Sequence, residues 1–109
     1  MIGQFDENEA IRYYLTFRVG AQWYAVDVQM IFEVSYLVAI MPVPDMPPAI
    51  IGIVNVRGRI VPVIDLRVRF NAARRPMELN TPIIFVLHGK NTYGMVVDDV
   101  DDVMRLERE

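Results

Sequence analysis

The sequence predicts an all-β fold of two related small barrels, and three features carry that expectation. Short runs alternate apolar and polar residues with the two-residue period of half-buried strands. Turn signals separate these runs at hairpin spacing, as at Gly20-Ala21, Arg57-Gly58 and His88-Gly-Lys-Asn91. The third feature is a repeat. Tyr24-Ala-Val-Asp-Val-Gln-Met-Ile-Phe-Glu-Val34 aligns with Tyr93-Gly-Met-Val-Val-Asp-Asp-Val-Asp-Asp-Val103 at a constant offset of 69. Val28 then matches Val97, Ile31 matches Val100, Glu33 matches Asp102 and Val34 matches Val103, while Leu15, Phe17 and Gly20 match Ile84, Val86 and Gly89. Each unit reads as strand, tight turn, strand and a three-residue apolar repeat.

The elements are justified in chain order. Tyr13, Leu15, Phe17 and Val19 alternate with Tyr14, Thr16 and Arg18 in a first strand, and Trp23-Tyr-Ala-Val26 begins its return. Val28, Ile31 and Val34 come next at intervals of three, with Asp27 placed to cap a short helical turn. That turn is expected to lead into a strand over 36–40. The segment Met41-Pro-Val-Pro-Asp-Met-Pro-Pro48 holds four prolines in eight residues. Proline lacks an amide donor and fixes φ, so this segment is neither a central strand nor a helix interior. It reads as a packed connector or as a polyproline ligand. Ile50–Val56 and Ile60–Leu66 form a hairpin with Gly58 at its tip, and Pro62 places the second strand at an edge or a bulge. Arg67 and Arg69, alternating with Val68 and Phe70, read as outward strand residues. Residues 71–80 read as a mobile loop, and Ile83–Leu87 with Tyr93–Val97 as the last hairpin.

Composition removes most function classes. The chain has 109 residues, 53% of them apolar, a formal charge of −3 and no cysteine. The longest apolar run, Ala49-Ile-Ile-Gly-Ile-Val54, is far short of the ~20 residues that span a bilayer. The first ten residues are acidic and lack a signal-peptide pattern, so a cytoplasmic location without membrane insertion is expected. One histidine (His88), one serine (Ser35) and one lysine (Lys90) leave no nucleophile–base–orienter set and no nitrogen–sulfur metal site. No enzymatic activity, cofactor or metal is expected. Asp98, Asp99, Asp101 and Asp102 cluster, but without the glycine and final glutamate of a calcium loop, and read as a polar face. Six arginines against one acid between Arg57 and Arg75 would suit a small-barrel nucleic-acid-binding protein. The negative net charge and single lysine favour a solvated face, and no nucleic-acid partner is expected.

The repeat also exposes a deficit. The first unit runs about thirty residues past Val34, through the prolines and the Arg57 hairpin, whereas the second has six residues after Val103. The second barrel is therefore expected to be incomplete, with Ile84, Val86, Met95 and Val97 uncovered and a homodimer formed by strand exchange or edge pairing. Val34, Met41, Val43 and Ile50 cannot all be buried in one small barrel, and some of them are expected to line a groove between the barrels.

Several blocks resemble CheW-like domains. Tyr24-Ala-Val-Asp-Val28, Ile31-Phe-Glu-Val34 and Ile40-Met-Pro-Val-Pro44 are similar to the first half of that family. Gly52-Ile-Val-Asn-Val-Arg-Gly58, followed by Val61-Pro-Val-Ile-Asp-Leu-Arg67, is similar to its most recognisable signature, and Tyr93–Val103 to a later block. The resemblance runs over about 12–106. It implies two five-stranded, SH3-like barrels, intertwined over about 12–70 and 80–106, between a loosely ordered 1–11 and a tail at 107–109. It also implies a non-catalytic adaptor that couples chemoreceptor signalling tips to the regulatory domain of the histidine kinase CheA. In the family, positions matching Glu33 and Arg57, with Ile31, Gly52, Asn55 and Gly58, lie near the receptor-binding surface, and the part from Ile83 onward docks the kinase. Family members run some forty residues further, so a fragment of a larger CheW-domain protein, such as CheA itself or CheV, is an alternative. The family expectation leads to one about mechanism: Glu33 and Arg57 form a pair that holds the recognition surface in shape.

Overall fold

The computed structural model describes residues 11–36, 38–72 and 76–107. The expectations for residues 1–10, for the centre of the 71–80 loop and for residues 108–109 lie outside the described residues. Eight strands form two sheets. In chain order these are β1 (Ile11–Val19), β2 (Gln22–Asp27), β3 (Ile31–Ser35), β4 (Ile50–Val56), β5 (Arg59–Asp65), β6 (Ile83–His88), β7 (Asn91–Val96) and β8 (Asp99–Glu107). A single 3₁₀ turn, Val28–Met30, and one short helix, α1 (Leu66–Arg69), complete the set among the described residues. One sheet has the order β2-β1-β8 and the other β3-β6-β7-β5-β4, all antiparallel except for β5 beside β7.

The repeat is real in space, and the repeats exchange strands. Hairpin β1–β2 pairs Leu15 with Val26 and Phe17 with Tyr24, and hairpin β6–β7 pairs the matching residues, Ile84 with Met95 and Val86 with Tyr93. The third strand of each unit lies on the other unit's hairpin. Ile31 and Val34 of β3 face Val86 and Ile84 of β6, and Val100 and Val103 of β8 face Phe17 and Leu15 of β1. Both crossings carry a register shift at the same place, between Ile31 and Glu33 and between Leu15 and Phe17.

That bulge explains the apolar spacing of three. An extra residue in one strand lets positions three apart occupy equivalent places along the ladder. The helical turn is confined to Val28–Met30, where the Asp27 carboxylate accepts from the Gln29 amide as expected of a cap. The strand expected over 36–40 therefore lies earlier, at Ile31–Ser35. The stretch after β3 touches β4 at one bridge, where Met41 and Ile53 exchange hydrogen bonds of 2.8 and 2.9 Å. This bridge closes the five-stranded sheet on itself.

Pro62 sits in a central strand and not at an edge, although the β4–β5 ladder carries a register shift beside it, between Ile50 and Gly52. Ile53, directly opposite it, directs both backbone groups to Met41. The Ile53–Pro62 pair is thus a non-hydrogen-bonded one, and the β7 ladder begins only at Val63, so no donor is required of Pro62. Arg67 and Arg69 are not strand residues either. The Asp65 carboxylate accepts from the Arg67 amide and starts α1, which ends β5 one residue early.

Two clusters make the core. Val54, Val56, Val61, Val63, Ile83, Phe85 and Val96 fill the closed barrel. Leu15, Phe17, Val19, Leu66, Ile84, Val86, Met95 and Val97 pack between the two sheets. Ile84, Val86, Met95 and Val97 were expected to be uncovered, yet all four are buried, because the β2-β1-β8 sheet lies over them. The exposed large apolar side chains of the small sheet are instead Ile11, Tyr13, Trp23, Val103, Met104 and Leu106.

Candidate functional site

The turn joining β4 to β5 has two residues, Arg57 and Gly58, between the last pair Val56–Arg59. Both have positive φ, +50° and +84°, the geometry of a hairpin turn whose twist matches its strands. The Asn55 side-chain oxygen accepts from the Gly58 amide at 3.0 Å and fixes the turn. Arg57 thus stands at the tip with its side chain 78% exposed, and its Nε reaches Glu33 Oε1 on β3 at 3.2 Å. The other Glu33 oxygen accepts from the Ser35 hydroxyl at 2.8 Å. The expected pair is present, and it joins β3 to the β4–β5 hairpin.

The six sequence-selected residues divide into two groups. Glu33, Asn55, Arg57 and Gly58 gather around the hairpin tip. Ile31 and Gly52 work inside. Ile31 pairs with Val86 and packs against the intersheet core. Gly52 lies against the closing bridge, where a Cβ would overlap the Met41 carbonyl and come within 2.7 Å of Ile40 Cγ2.

Sequence reasoning missed a buried polar knot where the sheets meet. Arg67, 2% exposed in its side chain, binds Asp65 through Nε at 2.9 Å and Nη2 at 3.1 Å, and its Nη1 lies 3.7 Å from Asp98 Oδ1. Asp98 Oδ2 accepts from the Gly20 amide at 2.6 Å, and the Asp98 amide donates to the Arg18 carbonyl at 2.9 Å. Burial alone pulls the Arg67 guanidinium down, but the hydrogen bond and charge of Asp65, then the charge and hydrogen bond of Asp98, outweigh it and hold the group above its ordinary value. A polar cavity of about 260 Å³ adjoins the knot, lined by Arg18, Glu78, Thr81 and Asp99 among others. Asp98 is therefore not part of an outward acidic face, and Arg67 breaks the expected run of solvated arginines. The available signal was Asp65 ending a strand two residues before an arginine.

An open apolar groove lies between the stretch after β3, with Tyr36, Val38 and Ile40, and the loop residues Met77 and Leu79. Val34, Met41, Val43 and Ile50, expected to line a groove, do not line this one; Val34 packs into the core and Met41 is exposed. Among the described residues no group of acids and histidines could hold a metal ion, and no helix is long and apolar enough to cross a membrane.

Comparison with known proteins places these features in context. The CheW-like domain family matches residues 13–109. The chain is 35% identical over 96 residues to a chemotaxis protein CheW of Klebsiella aerogenes, covering 88% of this chain and 58% of that protein. It is 25% identical over 103 residues to a chemotaxis protein CheW of Helicobacter pylori, covering 94% of this chain and 62% of the relative. The crystal structure of the scaffolding protein TtCheW from Thermoanaerobacter tengcongensis superposes with a TM-score of 0.82 at 33% identity, covering 88% of this chain and 66% of the other. The chain thus spans roughly three fifths of the length of the curated relatives.

Proposed function

This chain belongs to the CheW-like domain family, and we propose that it serves as a non-catalytic adaptor coupling chemoreceptor signalling tips to the regulatory domain of the histidine kinase CheA. The observation that carries this reading is the exposed Arg57, paired with the half-buried Glu33 of β3, on a hairpin tip whose shape Asn55 and Gly58 fix. Such a pair contributes only ~0–1 kcal/mol to the fold. A guanidinium held in one place by a carboxylate and a strained turn is better understood as a recognition feature. In this reading the receptor docks on Glu33, Asn55, Arg57 and Gly58, with Ile31 and Gly52 keeping the strands beneath them in register. The apolar groove between Tyr36 and Leu79 suits the apolar face of a helical tip. The part from Ile83 onward faces the kinase, residues 12–106 act as one CheW-like domain, and the protein works in the cytoplasm. Homodimers through a sheet edge belong to the same reading.

Arg57→Glu tests it. The substitution puts a second carboxylate opposite Glu33, and the melting temperature is expected to stay within a few degrees. Receptor-dependent kinase activation in a reconstituted mixture is expected to be lost. A folded Arg57→Glu protein that still couples receptor to kinase would overturn the proposal.

A further inference from the structure

Two hairpin tips meet at one end of the closed barrel. β5 and β7 are parallel neighbours, and each begins directly after its turn, so Arg57-Gly58 and Gly89-Lys90 lie at the same end. A Cβ added at Gly58 or Gly89 meets no atom of the described residues within 4 Å, so both turns stand clear of the strands around them. The barrel beneath them is complete in itself, five strands closed by the Met41–Ile53 bridge.

Side-chain alternation decides what this end presents. Val61 and Val63 of β5, Phe85 of β6 and Val96 of β7 fill the interior. Steps of two toward the turns therefore bring Arg59, Leu87 and Thr92 to the barrel mouth. Leu87 pairs directly with Thr92, whose hydroxyl accepts from Arg59 Nη1 at 3.3 Å. Leu87 is 43% exposed, whereas Phe85, one step deeper, is wholly buried. Glu33 lies opposite Phe85 on β3 and takes only the Nε of Arg57, so the outer edge of that guanidinium faces solvent. With Lys90 in the neighbouring turn, three cations gather here against one acid, Glu33, on a chain whose net charge is −3.

We propose that the barrel mouth is a docking surface for an acidic, apolar-tipped protein element: Leu87 receives an apolar side chain, and Arg57 and Arg59 receive carboxylates that flank it. An apolar anchor beside arginines is the make-up of an interface centre. Arginine suits the task because its planar fork grips a carboxylate through two donors at once. A nucleic acid is the poorer fit, because Glu33 repels phosphate and Leu87 offers it nothing. The inference deepens the adaptor reading and rests on it for the partner's identity, the receptor signalling tip. It joins Arg59 and Leu87 to the Arg57 site, although Leu87 lies in the part from Ile83 onward that the same reading gives to the kinase.

Calorimetric titration of the full 109-residue chain with a purified chemoreceptor signalling-tip fragment tests this. Arg59→Glu and Leu87→Glu are each expected to weaken binding about tenfold or more. Arg69→Glu, the same charge change at an exposed position of α1, is expected to leave it unchanged. Should Leu87→Glu not fold, Leu87→Ala removes the anchor without adding a charge and is expected to act in the same direction. Added salt is expected to weaken binding by the unaltered chain more than binding by Arg59→Glu. Loss of binding with Arg57→Glu alone, Arg59→Glu and the Leu87 variants binding normally, would overturn the proposal and leave the adaptor reading standing. No binding by the unaltered chain, or binding that no substitution at the three positions alters, would overturn both. A DNA oligonucleotide that displaces the signalling tip would overturn the proposal in favour of a phosphate-binding surface.

Discussion

The two repeats share one register and opposite interiors. In the second, Ile83, Phe85 and Val96 point into the closed barrel and are wholly buried. Their counterparts in the first, Tyr14, Thr16 and Asp27, are half-buried, and Thr16 bonds to the Asp102 carbonyl while Asp27 binds Arg12. On their other faces the two hairpins agree, with Leu15 and Phe17 matching Ile84 and Val86 in one shared core. Strand path therefore does not decide side-chain chemistry; what lies across the sheet does. Five strands closed by the Met41–Ile53 bridge exclude water, and three strands do not.

Substitution at equivalent positions sharpens this contrast. Phe85→Ala should destabilise the fold by about 3–5 kcal/mol in urea denaturation, because it empties a dry interior. Thr16→Ala, at the same place in the other repeat, should cost about 1 kcal/mol, since it removes only two exposed hydrogen bonds to the Asp102 backbone. Equal losses would mean that the small sheet encloses a core of its own.

The knot at the seam is the next place to break. Arg67→Met leaves Asp65 and Asp98 buried without their cation and should cost about 3–5 kcal/mol. The raised pKa of Arg67 fixes the sign of its pH dependence. The contribution is complete at any pH below the ordinary guanidinium range and declines only in strong alkali. Stability measured from neutral pH to about pH 9 should therefore show no step from this group.

Glycines separate closure from turn strain more finely. Gly52→Ala drives a methyl group into the Met41 carbonyl and should cost about 1–3 kcal/mol by forcing the barrel seam apart. Gly89→Ala meets no atom within 4 Å and bears only its left-handed φ of +64°, about 1 kcal/mol. Comparable losses would show that the seam yields without strain.

Much of this was legible in the chain itself. The hairpins and the cap at Asp27 follow from turn chemistry, while the Glu33–Arg57 pair was expected from the family resemblance. Three other features were not legible, each for a physical reason. A bulge and a helical turn both give apolar residues three apart, so Ile31 and Val34 misplaced β3. An arginine is normally solvated, and only folding brings Asp98 to Arg67 to reverse that. The repeat shows which strands are alike but not which ones pair, and so it could not reveal that β3 and β8 change places.

That crossing of β3 and β8 governs how the molecule can assemble itself. Neither repeat holds its own third strand, so neither has a complete sheet to form first. The Thr16–Asp102 contact spans 86 positions of a 109-residue chain, so chain entropy must be lost before the seam returns any binding. Such topologies fold slowly, on the ms–s scale of proteins rich in non-local contacts. A cut anywhere between the repeats separates two halves that each carry the other's missing strand, and each should regain structure only when the other is present.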